Sequence, residues 1–138
     1  MASLPRVLFV CWGNTCRGVL AKHIGRHMFG ERAHFDSAGI HPQAPEDARM
    51  AIKTLKKQYG IDASGHLPAD IRFVSLSTYN LIVALDRDVA EALEIPPGIV
   101  FEAWDVRDPY GHPSEYVSCG QKIEEELTAL IGRLQPIQ

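Results

Sequence analysis

Near its amino terminus the chain reads RVLFVCWGNTCRGVLAKHIGRHMF. After its arginine the run RVLFVC is continuously apolar, rich in β-branched and aromatic residues, and has no polar face. That is the pattern of a strand covered on both sides, as in a parallel sheet. Gly13 and Asn14 then supply turn chemistry, and Val19, Leu20, Ile24 and Met28 recur at helical spacing. A buried strand that passes through a short loop into a helix restricts the fold to layered α/β architectures, in which the helix packs back onto the sheet.

The remainder of the chain repeats the alternation. AHFDSAG is a second strand ending in turn residues. PEDARMAIKTLKKQYG opens with Pro45, Glu46 and Asp47, places Ala48, Ile52, Leu55 and Tyr59 on one face, and closes with lysines and Gly60. Acid at the start, base at the end and a final glycine suit a helix dipole and its carboxyl cap. YNLIVALD predicts a third strand, about Asp88 to Leu93 a short helix, and IVFEAW a fourth strand. WDVRDPYGHPSEY is a loop by its Pro, Gly and Asp content. A last helix is expected from about Ser114 to Leu134, with Ile123, Leu127, Leu130, Ile131 and Leu134 on one face. Strands alternating with helices predict a parallel sheet with helices on both faces, in one domain spanning residues 1–138.

Composition narrows the function. The 138 residues are 46% hydrophobic and 22% charged, with a formal net charge of −3, so no global basic field exists to gather nucleic acid. No stretch approaches the ~20 apolar residues needed to span a bilayer, and the start lacks a signal-peptide pattern, which reads as a cytoplasmic protein without a membrane partner. Three cysteines, an odd number, do not make a secreted disulfide framework. His23 and His27 have a zinc-compatible spacing but no evident third ligand, so no metal or other cofactor is expected.

In open α/β sheets ligands bind beyond the carboxyl ends of strands, where a loop feeds a helix. Cys11 stands at that point. Gly13 and Asn14 tolerate left-handed backbone, so the loop through Trp12, Gly13, Asn14, Thr15 and Cys16 can turn its N–H groups inward as an anion cradle. Arg17 adds a planar guanidinium able to grip two oxygens. The same field favours a Cys11 thiolate near neutral pH, a nucleophile aimed at bound phosphorus. Attack by sulfur needs a group that protonates the departing oxygen and then activates water. Asp108, in DPYG after the fourth strand, shares the ligand end of the sheet; its bland alternative is a turn aspartate. Asp86 reads as the cap of the short helix.

Together VLFVCWGNTCR, DSAG, SGH and DPYG, in this order and spacing along nearly the whole chain, resemble the low-molecular-weight protein tyrosine phosphatases. The resemblance implies a four-stranded parallel sheet of order 2-1-3-4, and hydrolysis of phosphotyrosine or a small aryl phosphate through a cysteinyl-phosphate, releasing inorganic phosphate without a metal. It implies Cys11 as nucleophile, Arg17 as phosphoryl ligand and Asp108 as general acid, then base. It makes Asn14 a strained loop residue supported by Ser37 and His66. Tyr110 becomes part of the cleft wall, with Trp12 an aromatic face opposite. Cys16 matches a second loop cysteine that in relatives traps an oxidised nucleophile; simple packing behind the loop is the other reading.

Three departures stand out. Where the family usually continues CRSP.AE, this chain has Gly18, Val19 and Lys22. The serine hydroxyl missing at Gly18 supports the thiolate and Asn14 in relatives, so a weakened enzyme is expected. A phosphate- or phosphopeptide-binding module whose chemistry has decayed is the competing class. Arsenate reductases that resemble these phosphatases relay electrons through two further cysteines after the third strand, and here that segment, ALDRDVAEALEIPPG, has none.

Overall fold

The computed structural model describes residues 3–134. Strand β1 (Arg6–Cys11) leads into helix α1 (Arg17–Phe29), and β2 (His34–Gly39) into α2 (Arg49–Tyr59). Strand β3 (Leu81–Ala84), α3 (Arg87–Ala92), β4 (Val100–Ala103) and α4 (Tyr116–Arg133) complete the order. The strands form one sheet in the order β2-β1-β3-β4, and every pair is parallel. The expected topology is therefore present.

Sidedness follows from strand alternation. Val7 and Phe9 point to one face and meet Leu20, Ile24, Leu55, Ile123 and Leu127 of α1, α2 and α4. Leu8 and Val10 point to the other, with Ile82, Ala84 and Val89 of α3. That second layer is thin, being completed by short 3-10 turns at Ile71–Phe73 and Leu76–Thr78. Phe9 stacks on Phe35 with ring centroids 5.9 Å apart and meets Trp104 at 5.3 Å. Burying side chains of this size contributes roughly 1.5 to 3 kcal/mol each.

Element boundaries moved where local chemistry competes with the α-helix. Pro45–Ala48 is a 3-10 turn ahead of α2, and Pro113–Glu115 is another ahead of α4. In both places a proline opens the turn, since its missing N–H costs nothing in a first turn. Gly60 ends α2 at φ 67°, and its N–H bonds back to the carbonyls of Leu55 and Lys56. The left-handed cap expected from sequence is formed. Met28, placed by periodicity beside Ile24, is 39% exposed, while its neighbour Phe29 packs partly against the core.

Candidate active site

Cys11 is the last residue of β1, and α1 begins at Arg17. Between them the backbone turns its carbonyls outward. Those of Cys11, Trp12 and Gly13 accept the N–H groups of Ile40, His41 and Gln43, at 3.1, 2.8 and 3.1 Å. The Asn14 carbonyl oxygen lies 2.8 Å from His66 Nε2. With its carbonyls taken from outside, the loop is left to present N–H groups inward, and Asn14 N donates to Cys11 Sγ at 3.2 Å. Asn14 makes this possible at φ 54°, the one non-glycine residue with positive φ among the described residues. Asparagine is among the residue types that tolerate that region.

The groups expected at the site come together. A small cleft of about 40 Å³ is lined by Cys11, Trp12, Gly13, Thr15, Cys16, Arg17, Gln43, Asp108 and Tyr110. Asp108 is half exposed at its mouth, with Oδ2 3.9 Å from Arg17 Nη2 and Oδ1 accepting the Tyr110 N–H at 3.0 Å. The turn role and the cleft position coexist. Tyr110 lies 49% exposed, and its hydroxyl donates to Asp47 at 3.3 Å. Trp12 is 42% exposed and leans on His41, with ring centroids 4.8 Å apart.

Ser37 and His66 both contact Asn14, each through one specific route. Ser37 supports Asn14 through its backbone carbonyl, 3.4 Å from Asn14 Nδ2, and not through its hydroxyl. His66 reaches the Asn14 backbone and not its side chain. Ser37 Oγ and Asn14 Oδ1 are buried with no protein partner, and both side chains border Gly18. A Cβ placed on Gly18 would stand 2.9 Å from Cys11 Sγ, 3.0 Å from Asn14 Oδ1 and 3.5 Å from the Ser37 Cβ. The bare backbone at position 18 thus coincides with two orphaned oxygens, as the absence of a serine hydroxyl predicts.

Arg17 is held from below. Its Nη1 donates to Asp86 Oδ2 at 2.5 Å and to the Val106 carbonyl at 2.9 Å. Asp86 also caps α3 by accepting the Val89 N–H, so the cap reading is correct but incomplete. Burial pushes the Asp86 carboxyl up, yet the Val89 N–H and Arg17 outweigh it and leave the group below its usual range. Sequence reasoning also missed Gln43, whose side chain accepts from Thr15 at 3.1 Å, and Tyr116, whose hydroxyl lies 3.2 Å from Cys16 Sγ. No local motif announces either residue; both arrive through long-range packing.

Burial of the thiol opposes the thiolate that the loop amides and Arg17 favour. Burial pushes Cys11 up to about 11, against the opposing pull of Arg17 and the N–H groups of Gly18 and Asn14. Asp86 and Asp108 share the guanidinium, so its charge is not wholly turned on the sulfur. Cys16 is also raised, chiefly by burial. All three cysteines are free. Among the described residues no group of three or more His, Cys, Asp or Glu could hold a metal ion, and no helix is long and apolar enough to cross a membrane.

A parallel sheet whose central strand ends in a cysteine, an amide-lined loop and a helix-borne arginine defines the class: an α/β protein with its candidate site at the carboxyl end of the strands. Residues 6–137 match the sequence profile described as low molecular weight phosphotyrosine protein phosphatase, and the chain belongs to that family. Its relatives include proteins named arsenate reductase and proteins named tyrosine phosphatase. Arsenate reductase 2 of Staphylococcus saprophyticus is 34% identical over 125 residues, covering 86% of this chain and 93% of that protein. Arsenate reductase 2 of Staphylococcus haemolyticus is 32% identical over 127 residues, covering 91% and 92%. Among solved structures, the low molecular weight protein tyrosine phosphatase from T. tengcongensis aligns with TM-score 0.82 at 29% identity, over 94% of this chain and 99% of that one.

Proposed function

We propose that the protein hydrolyses aryl phosphate monoesters, phosphotyrosine among them, through a cysteinyl-phosphate. The observation that carries this reading is the convergence of Cys11, Arg17 and Asp108 on one cleft beneath inward-facing loop amides. As the dianionic ester enters, the Cys11 thiol gives its proton to a phosphoryl oxygen, and the sulfur attacks phosphorus in line with the ester bond. The P–O bond breaks, and Asp108 delivers its proton to the departing phenolate oxygen. Water then attacks phosphorus and yields a proton to the Asp108 carboxylate. The S–P bond breaks, returning the cysteine and releasing inorganic phosphate. Arg17 and the loop amides hold the equatorial oxygens throughout, the arrangement best suited to a charge-dispersed transition state. Trp12 and Tyr110 flank the entrance and suit an aromatic leaving group. A cytoplasmic setting, which keeps the thiols reduced, belongs to the same reading.

The names of the relatives raise arsenate reduction as the rival. A thiol relay needs cysteines that can pass electrons out from the nucleophile, and residues 84–98 contain none. Hydrolysis is therefore favoured. The test is p-nitrophenyl phosphate turnover at mildly acid pH in the presence of chelator. We expect a rate abolished by Cys11→Ser and reduced about 100-fold or more by Asp108→Asn, with vanadate inhibition retained in the latter. Vanadate binding without turnover would instead mark a binding module. Arsenate-dependent consumption of thioredoxin reducing equivalents by the same preparation would favour reduction.

A further inference from the structure

The first helix carries a cation in an unusual place. Lys22 Nζ lies 2.9 Å from His66 Nδ1, and on the other side of the ring His66 Nε2 lies 2.8 Å from the Asn14 carbonyl oxygen. His66 is buried, Lys22 half-buried, and Asn14 fully enclosed at φ 54°. These contacts form one line from α1 through the imidazole to the loop residue whose N–H reaches Cys11 Sγ.

Proton counting gives the line a direction. An ammonium has donors and no lone pair, so its contact with Nδ1 requires that nitrogen to be bare. The single ring proton then sits on Nε2, and it faces a carbonyl that can only accept. We propose that Lys22 is a positioning residue of the active site: by donating to Nδ1 it holds His66 as the neutral Nε2–H tautomer, which clamps the Asn14 carbonyl and keeps the left-handed loop closed around Cys11. This rests on the reading of the Cys11 loop as the site, but not on its catalysing any particular reaction.

The surroundings favour a neutral ring. The charged and titratable groups that face His66 are Lys22, His23 and Arg26, all on α1, and the carboxylate that acts on Lys22, Asp36 of β2, is engaged by Arg26 at 2.9 Å. Burial, then Lys22 and Arg26, hold His66 below its ordinary value, although its bond to Asn14 pulls the other way. Burial and Arg26 bring Lys22 down to about 8, against the pull of Asp36. Near neutral pH the pair is thus an ammonium and a neutral imidazole. The family pattern has a glutamate at this position, which would accept from Nδ1–H and favour a doubly protonated ring. Lys22 inverts that polarity.

The test is the long-range proton–nitrogen spectrum of His66, recorded against pH in the whole protein. At pH 7 the wild type is expected to show a bare Nδ1 and a protonated Nε2. In Lys22→Glu the ring becomes doubly protonated at the same pH, its titration midpoint rising by about one unit or more. Lys22→Met removes the donor and its charge without adding a carboxylate; Nδ1 is then free to take up a proton, so the titration midpoint is expected to rise by less than in Lys22→Glu and vanadate binding to weaken about fivefold. Lys22→Arg, which keeps a donor, should restore the tautomer. A doubly protonated or Nδ1–H ring in the wild type, or titration curves that coincide in wild type and Lys22→Glu, would overturn the proposal. Because the spectrum needs no turnover, an inactive protein with the expected tautomer would refute the phosphatase reading and leave this one standing.

Discussion

Gly18→Ser adds one hydroxyl where the structure has two unpartnered oxygens, Asn14 Oδ1 and the Ser37 hydroxyl, and a buried sulfur. A serine Oγ has one proton and two lone pairs. It can donate to Cys11 Sγ or Asn14 Oδ1, which a Cβ at position 18 would approach to 2.9 and 3.0 Å, and the Ser37 side chain, whose hydroxyl has no partner, lies beside them. A hydrogen bond to a charged group contributes about 1.5 to 3 kcal/mol, which corresponds to roughly one to two pKa units at 1.36 kcal/mol each. Starting from about 11, the Cys11 thiol is therefore expected to move down by that amount. Against this stands a steric cost, because the new Cβ would lie 2.9 Å from the sulfur and force it to shift. Overpacking of this kind costs about 1 to 3 kcal/mol of global stability. The two effects separate experimentally, one appearing in the thiol titration and the other in urea unfolding. Iodoacetate alkylation of Cys11 against pH, read at the peptide level so that Cys16 and Cys119 do not interfere, gives the thiol midpoint. Turnover at mildly acid pH is expected to rise with the thiolate fraction. Equal midpoints in the two proteins, or a higher one with serine, would refute the reasoning.

Other perturbations test other parts of the site. Asp86→Asn should keep the α3 cap, since asparagine caps as well as aspartate, but loosen Arg17; vanadate affinity should fall severalfold with little change in thermal midpoint, whereas Asp86→Ala should also lose about 1 kcal/mol in urea unfolding. The Cys11 thiol, raised from 9.0 in the unfolded reference to about 11, keeps its proton in the folded state longer than in the unfolded state. Its contribution to stability is complete below pH 9.0 and is lost as pH rises toward 11, so the stability difference between wild type and Cys11→Ala should shrink across that window in pH-dependent chemical unfolding. Gly60→Ala meets no neighbour within 4 Å and still forces a Cβ into φ 67°, so it should cost about 1 kcal/mol with activity unchanged.

Much of this protein is written locally. The unbroken apolar run before Cys11, the turn residues after it and the helical repeat of Val19, Leu20 and Ile24 specify a buried strand, a loop and a helix, because each signal lies within a few residues of what it determines. Gly60 and Asp86 announce their caps for the same reason. The motifs around Cys11, Arg17 and Asp108 identify the groups of the candidate site through their resemblance to a family. What surrounds those groups was not legible. Asp86 grips Arg17 across 69 positions, Lys22 meets His66 across 44, and Tyr116 reaches Cys16 across 100. Such pairs exist only once the strand order and the helix packing have brought distant segments together. The sulfur's protonation belongs with them, since it depends on how deeply the closed loop shields Cys11 and on which carboxylates share its arginine. Local pattern thus chose the elements and named the groups of the candidate site, while packing decided their partners, their electrostatic surroundings and the shape of the space between them.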